Sequence, residues 1–148
     1  MTGAILVLGL LSCQDAVVED IQSSHIAANV PSRADFGRLL TQALGRYFNP
    51  DRRPYVGIGH QLLREEPTQS GVAYPKFYVW VRVFNKGLVE RQGAVRLEAI
   101  ERRQFRITDF VSDADIRRDP SSLYSIFPVS LCDAIQAKAA EELPKAVR

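Results

Sequence analysis

The sequence predicts an α+β domain in which one long helix is followed by four antiparallel strands and then by further helices. Two changes in the spacing of apolar residues support this order. Apolar residues recur at helical spacing from Phe36 to Phe48, and between residues 55 and 111 they alternate with polar residues at the period of two that strands show. Helical spacing returns after Pro128. A chain of 148 residues is expected to form one domain around a single core.

The long helix is predicted over residues 32–49. Ser32 and Asp35 have the spacing of a capping box, with Asp in place of the usual Glu. Asn49 ends the helix, because the residue before a proline disfavours helical backbone. The helix has one continuous apolar stripe, made of Phe36, Leu39, Leu40, Ala43, Leu44, Tyr47 and Phe48.

Four strands are predicted over residues 55–64, 72–84, 88–102 and 105–111, joined in a meander by the turns Asn85-Lys86-Gly87 and Arg102-Arg103-Gln104. In the second strand, Phe77, Val79, Val81 and Val83 share one face, and Lys76, Tyr78, Trp80, Arg82 and Phe84 share the other. We expect the Phe77 face to lie under the helix stripe, because a helix stripe and a sheet face each need a partner. Pro128 is expected to begin a last helix, which Leu143-Pro144 ends.

This order of elements, a long amphipathic helix and then a curved four-stranded meander, resembles the cystatin-like and NTF2-like folds. The resemblance covers about residues 32–111. The predicted C-terminal helices depart from those folds, which commonly finish on a strand. An NTF2-like arrangement implies a concavity between helix and sheet in which a small-molecule site could lie.

The N-terminal segment contains an apolar or small run over residues 4–12 that is followed at once by polar and acidic residues. The run suits the hydrophobic region of a signal peptide and is too short to span a bilayer. Leu10-Leu11-Ser12-Cys13 resembles a bacterial lipobox, although no Lys or Arg precedes the run. We therefore divide the chain into a lipoprotein signal segment (residues 1–13) with Cys13 as the lipidation site, a polar tether or short helix (14–31), and one α+β domain (32–148).

The alternative for the same run is a buried strand or core helix of a cytoplasmic protein, because apolar runs of this length cannot be assigned from their pattern. The two interpretations predict opposite results when residues 1–13 are deleted. If these residues are a signal segment, their deletion leaves the fold unchanged. If they are a core element, their deletion unfolds the domain.

Composition excludes several functions. The net charge of +2 argues against nucleic acid as a partner, and basic and acidic residues nearly cancel between residues 86 and 119. Two cysteines fit neither a disulfide framework nor a zinc site. Asp113, Asp115 and Asp119 resemble a calcium loop, but the glycine is missing and Arg117 stands at a ligand position. We expect no metal and no cofactor.

Four residues are the candidates for a pocket or binding face: His60, Tyr78, Trp80 and Arg82. His60 has the parity of Val56 and Ile58, which places it toward the core, where a lone histidine is commonly structural. The face of Tyr78, Trp80 and Arg82 is expected to be partly exposed. It fits either plain cross-strand packing, with cation stems lying over aromatic rings, or the rim of a pocket.

These observations favour a non-enzymatic binding or assembly domain in a small bacterial envelope lipoprotein. Its partner would be a protein or a small ligand, and it would meet the membrane only through lipid on Cys13. The alternative is a small-molecule enzyme of NTF2-like type with its site in the sheet–helix concavity. In that case His60 would be the base, and Tyr78 and Arg82 would position the substrate.

Overall fold

The computed structural model describes residues 11–141 and Leu143, so residues 1–10, which include most of the apolar run at residues 4–12, lie outside the described part. The helices are α1 (Leu11–Asn29), α2 (Arg33–Phe48), α3 (Asp113–Arg118) and α4 (Val129–Ala140), with a short 3₁₀ helix at Pro120–Ser125. The strands are β1 (Val56–Leu62), β2 (Lys76–Asn85), β3 (Leu88–Ile100) and β4 (Gln104–Ser112). They form one antiparallel sheet in the order β1-β2-β3-β4. The α+β class and the helix–meander–helix order are confirmed.

Helix α2 begins as the sequence predicts. The Ser32 hydroxyl accepts a hydrogen bond from the Asp35 backbone N–H at 3.3 Å and donates to the Asp35 carboxylate at 3.0 Å. Asn49 follows the last helical residue, Phe48. The cap therefore satisfies one of the backbone donors that a helix N-terminus leaves free.

The stripe of α2 packs on the sheet face that carries Phe77, Val79 and Val81, as expected. Leu40, Leu44 and Phe48 are buried there, and the Phe36 ring meets Phe77 edge to face with 5.0 Å between ring centroids. One member of the predicted stripe was assigned wrongly. Tyr47 is 48% exposed, because its neighbour Phe48 takes the core-facing position at the end of the helix.

The second sheet face is also buried, whereas we expected it to be partly exposed. Helices α3 and α4, the 3₁₀ helix and the segment that follows it cover this face and pack on Tyr78, Trp80 and Ala94 of the sheet. The covering residues are Ile116, Leu123, Phe127, Leu131 and Ile135. The domain consequently has three layers, with the sheet in the middle. Helix α4 ends at Ala140, before the predicted stop at Leu143.

Helix α1 contains the stretch that we predicted to be a tether or short helix. Its C-terminal residue Asn29 is fixed to the turn between β3 and β4, where its side-chain oxygen accepts from the Glu101 N–H. Val17, Val18 and Ile21 of α1 are exposed. None of the helices in residues 11–141 combines the length and apolar character needed to cross a bilayer.

Candidate functional site

Three of the four predicted site residues line one open groove beside β1. His60, Trp80 and Arg82 border a space of about 450 Å³, together with Gln61 of β1 and with Lys138 and Glu141 from the end of α4. Tyr78 lies elsewhere. Its hydroxyl is 2.6 Å from that of Thr68, and its ring packs against Phe127.

The expectation that Trp80 is partly exposed is wrong. Its side chain is 3% exposed, and it belongs to the core under α3 and α4. The indole N–H has no hydrogen-bond partner within the described residues. Burial of this face follows from the three-layer arrangement, since the C-terminal helices occupy the position that solvent was expected to have.

Arg82 connects β2 to the end of α4. Its guanidinium donates to the Gln92 side-chain oxygen at 3.2 Å and to the Glu141 carboxylate at 3.2 Å. Gln92 is almost fully buried, and its side-chain amide N–H donates to the Asp113 carboxylate at 3.0 Å. The charge of Arg82 is thus already balanced by an acidic residue of the same chain.

Asp113 closes this network on α3. Arg117 donates to the Asp113 carboxylate at 2.9 Å and to the backbone oxygen of Ala139 at 2.7 Å. Partial burial raises the pKa of Asp113, but the hydrogen bonds from Gln92 and Arg117 outweigh it, so the pKa lies below its ordinary value. The network ties the C-terminal end of α4 to the sheet and to α3.

His60 lies on the edge strand rather than in the core. It pairs with Val81, so the two residues share the α2-facing side of the sheet, as the parity predicted. Its side chain is nevertheless exposed, because β1 has a neighbour on one side only. The surrounding protein still removes part of its hydration, which lowers the pKa of His60.

The free edge of β1 is the feature that sequence reasoning missed. Lys86 N–H donates to Tyr55 C=O, and Leu63 N–H donates to Tyr78 C=O, so the odd-numbered residues of β1 bond to β2. The N–H and C=O groups of Val56, Ile58, His60 and Leu62 therefore point away from the sheet. In the part of the chain described, these groups have no backbone hydrogen-bond partner.

The opposite edge, β4, differs in two ways. Thr108 is an extra residue in β4 that shifts its register against β3, and its hydroxyl bonds back to Arg96 C=O at 3.2 Å. Charged side chains also line β4, where Asp109 pairs with Arg96 and Arg106 pairs with Glu98. Bulges and charges protect edges from pairing with other strands. Between its ends, β1 has neither, since its residues are VGIGHQL.

A second groove flanks β1 on its other side, toward α2. It has a volume of about 590 Å³ and is bordered by Thr41, Gly45, Arg46, Asn49, Arg52, Val56 and Ile58. The free edge of β1 thus lies between two grooves, one on each face of the sheet. The signal that could have found it is the uncharged, proline-free, glycine-containing strand at one end of the meander.

The chain matches no protein-family model, and the comparisons with curated proteins and with solved structures found no match either. Within the described residues, His, Cys, Asp and Glu side chains do not gather in groups of three that could hold a metal ion.

Proposed function

We propose that this chain is a binding or assembly domain that makes its main contact through the free edge of β1. The observation that carries the proposal is the row of four outward-facing backbone positions at Val56, Ile58, His60 and Leu62. A strand that adds to such an edge gains affinity from backbone hydrogen bonds. It gains specificity from pockets that receive alternate side chains.

The two grooves support this proposal, because they lie where an added strand would direct its side chains. Successive side chains of a strand point to opposite faces of a sheet. One set would enter the groove beside α2, bordered by Gly45, Arg46 and Ile58, and the other would enter the groove beside α4, bordered by Gln61 and Lys138. An edge with a groove on each face can therefore recognise the side chains on both faces of an added strand.

We propose further that lipid on Cys13 holds the domain at a bacterial envelope. Cys13 lies in the first turn of α1, so a mature chain that begins there keeps residues 13–29 of the helix. At 1.5 Å per residue, this helix would span about 25 Å between the lipid and the β3–β4 turn. Helix α1 would then act as a spacer that is fixed to the domain through Asn29.

The enzyme alternative would use the groove that His60, Trp80 and Arg82 border, whose volume lies within the range of small-molecule sites. The pairing of His60 with Val81, however, directs the His60 side chain to the α2-facing side of the sheet, away from this groove. Two of its three proposed functional groups have other partners. Arg82 is paired with Glu141, and the Tyr78 hydroxyl contacts Thr68. The free edge has no such competing partner among the described residues, and binding is for this reason the function proposed.

A photo-crosslinking amino acid placed at His60 in producing cells tests the edge. The expected result is one or a few discrete crosslinked species that do not form when the same group replaces Arg106, which is exposed on β4. Equal crosslinking at both positions, or none at His60, would overturn the proposal.

The anchor is tested by fractionation. Cys13→Ser should move the exported chain from the membrane fraction to the soluble envelope fraction. The buried Cys132 provides the matched control, because Cys132→Ser should leave the chain in the membrane fraction. A Cys13→Ser chain that stays with the membrane would contradict lipid anchoring.

A further inference from the structure

We infer that the partner of the β1 edge is a second copy of this chain, joined antiparallel about a two-fold axis that passes beside Gly59. This inference rests on the proposed function and names its partner. It would join the two four-stranded sheets into one continuous sheet of two copies, an isologous contact in which the same surface serves both partners.

The positions of the outward-facing residues select this register. With the axis at Gly59, Val56 faces Leu62 of the other copy, and Ile58 faces His60. All four outward positions of each strand then find a partner, which corresponds to about eight interchain hydrogen bonds, two for each bonded pair. An axis at Ile58 or His60 instead would leave one outward position of each strand unpaired.

The charges that flank β1 also favour an antiparallel second copy. Asp51, Arg52 and Arg53 precede the strand with a net charge of +1, and Arg64, Glu65 and Glu66 follow it with a net charge of −1. Arg53 already bridges Glu90, while Arg52 and Glu66 are exposed. The antiparallel arrangement brings the basic flank of one copy to the acidic flank of the other. A parallel arrangement would bring like charges together.

Gly59 permits the closest approach between the copies. At the axis, Gly59 would face its own counterpart as a non-hydrogen-bonded pair, with about 4.5 Å between Cα atoms. Neither residue has a side chain of its own, so the two backbones can approach each other at this position, with the Phe84 ring of each copy as the nearest neighbour on the α4-facing side. The grooves beside α4 of the two copies would meet there.

Disulfide formation between the two copies tests the register of their β1 strands directly. In a Cys13→Ser background, Gly59→Cys should form a disulfide-linked dimer under mild oxidation, because the facing Cα atoms lie within the range that a disulfide requires. A Cβ at Gly59 would lie 3.4 Å from the Phe84 ring, and one at Gly57 would meet open space, so both positions accept a cysteine. Cys132 is buried and remains in place.

Gly57→Cys is the matched control. In the proposed register Gly57 faces Gln61, and the two Gly57 positions lie about 13 Å apart along the strands, four residues at the rise of a strand. Gly57→Cys alone should give no linked dimer, whereas Gly57→Cys with Gln61→Cys should link. Linking by Gly57→Cys as readily as by Gly59→Cys would overturn the inference.

Sedimentation of the purified full chain tests the flanking charges. Arg52→Glu should weaken dimerisation about fivefold, since the two-fold axis repeats the loss at two exposed contacts. Glu66→Arg should do the same, and the double variant should restore wild-type association. A chain that stays monomeric, with no Gly59→Cys disulfide, would overturn the inference.

The outcome also separates this inference from the proposed function. If His60 crosslinks in cells to a different protein while the purified chain is monomeric, the edge binds a partner that is not a second copy. If His60 gives no crosslink at all, the proposed function fails together with the inference.

Discussion

The Asn29 side-chain oxygen accepts a hydrogen bond of 3.0 Å from the backbone N–H of Glu101. The backbone oxygen of Asn29 accepts another from Arg102 N–H at 2.8 Å. Glu101 and Arg102 both have positive φ angles, in the left-handed region that non-glycine residues rarely adopt. The last residue of α1 thus satisfies the backbone of a strained turn 72 positions further along the chain.

Asn29→Ala is expected to lower the free energy of unfolding by about 1–3 kcal/mol, because it removes the buried side chain that accepts the part-buried hydrogen bond from the Glu101 N–H. Urea unfolding of the full chain measures the change. Ser24→Ala, at an exposed position of the same helix, is the control and should alter stability little. Equal effects of the two substitutions would show that α1 is not held by this contact.

Leu40→Ala should lower the free energy of unfolding by about 2–5 kcal/mol, because it opens a cavity between α2 and the sheet. Thermal or urea unfolding measures it. Gln42→Ala, on the exposed side of α2, is the control. A Leu40→Ala chain as stable as the wild type would contradict the packing of α2 on the sheet.

Gly93→Ala is expected to destabilise the domain strongly. A Cβ at Gly93 would lie 2.2 Å from the backbone oxygen of Val111, a contact that can be relieved only if β3 and β4 move apart. The cost should be about 1–3 kcal/mol or more. Gly57→Ala is the matched control, since its Cβ would meet open space. Thermal unfolding compares the two variants. Equal melting temperatures for Gly93→Ala and Gly57→Ala would contradict the close approach of β4 to Gly93.

Trp80 is the single tryptophan, so its fluorescence reports on one position. We expect emission at short wavelength and little quenching by iodide, because the indole is buried under the C-terminal helices. A Trp80→Phe chain that carries Tyr124→Trp provides an exposed reference. Quenching of Trp80 as strong as that of the reference would show that the second helical layer is absent in solution.

Asp113 should contribute stability that depends on pH. Its pKa is lower in the folded chain than in the unfolded one, so its contribution is present above the unfolded pKa of about 3.9 and is lost as the pH falls through the folded pKa. Asp113→Asn removes this dependence. The difference in melting temperature between wild type and variant should therefore be largest near neutral pH and shrink in acid. A difference that is constant from pH 7 to pH 3 would contradict the network.

Much of the first layer could be predicted from the sequence. Helical spacing in α2 and alternation in β2 are local patterns, and each identifies which side chains turn inward. The cap at Ser32 and the turn at Lys86 and Gly87 are local as well. For these features a short stretch of chain contains the whole physical cause.

The second layer could not be predicted in the same way. The stripe of α4 shows that the helix has a buried side, but not that this side lies on Tyr78 and Trp80. A clue was present in the run Tyr78-Val79-Trp80-Val81, which is apolar on both faces, as strands in the middle of a three-layer domain are. The charged residues Lys76 and Arg82 lie on the same face as Tyr78 and Trp80, and for this reason we expected that face to be partly exposed. These two charged residues lie where their charges reach Glu98 and Glu141 at the periphery of the sheet.

The free edge of β1 could not be predicted without knowledge of the strand order. Parity placed His60 on the correct face, but its exposure depends on β1 being the outermost strand, which only the topology reveals. The same holds for the groove beside α4, because Lys138 donates to the Gln61 side chain and Glu141 pairs with Arg82 across more than fifty positions of sequence.

The extra residue at Thr108 has a consequence for the size of any assembly. A sheet with two open edges can add copies without limit and grow into a fibre. Here β4 is distorted and charged, features that protect an edge from pairing, so in the dimer that we propose each molecule would have a single point of growth. Once two such points have met, the assembly is complete. The extra residue Thr108 in β4 would thus prevent a dimer that forms through β1 from growing into a polymer.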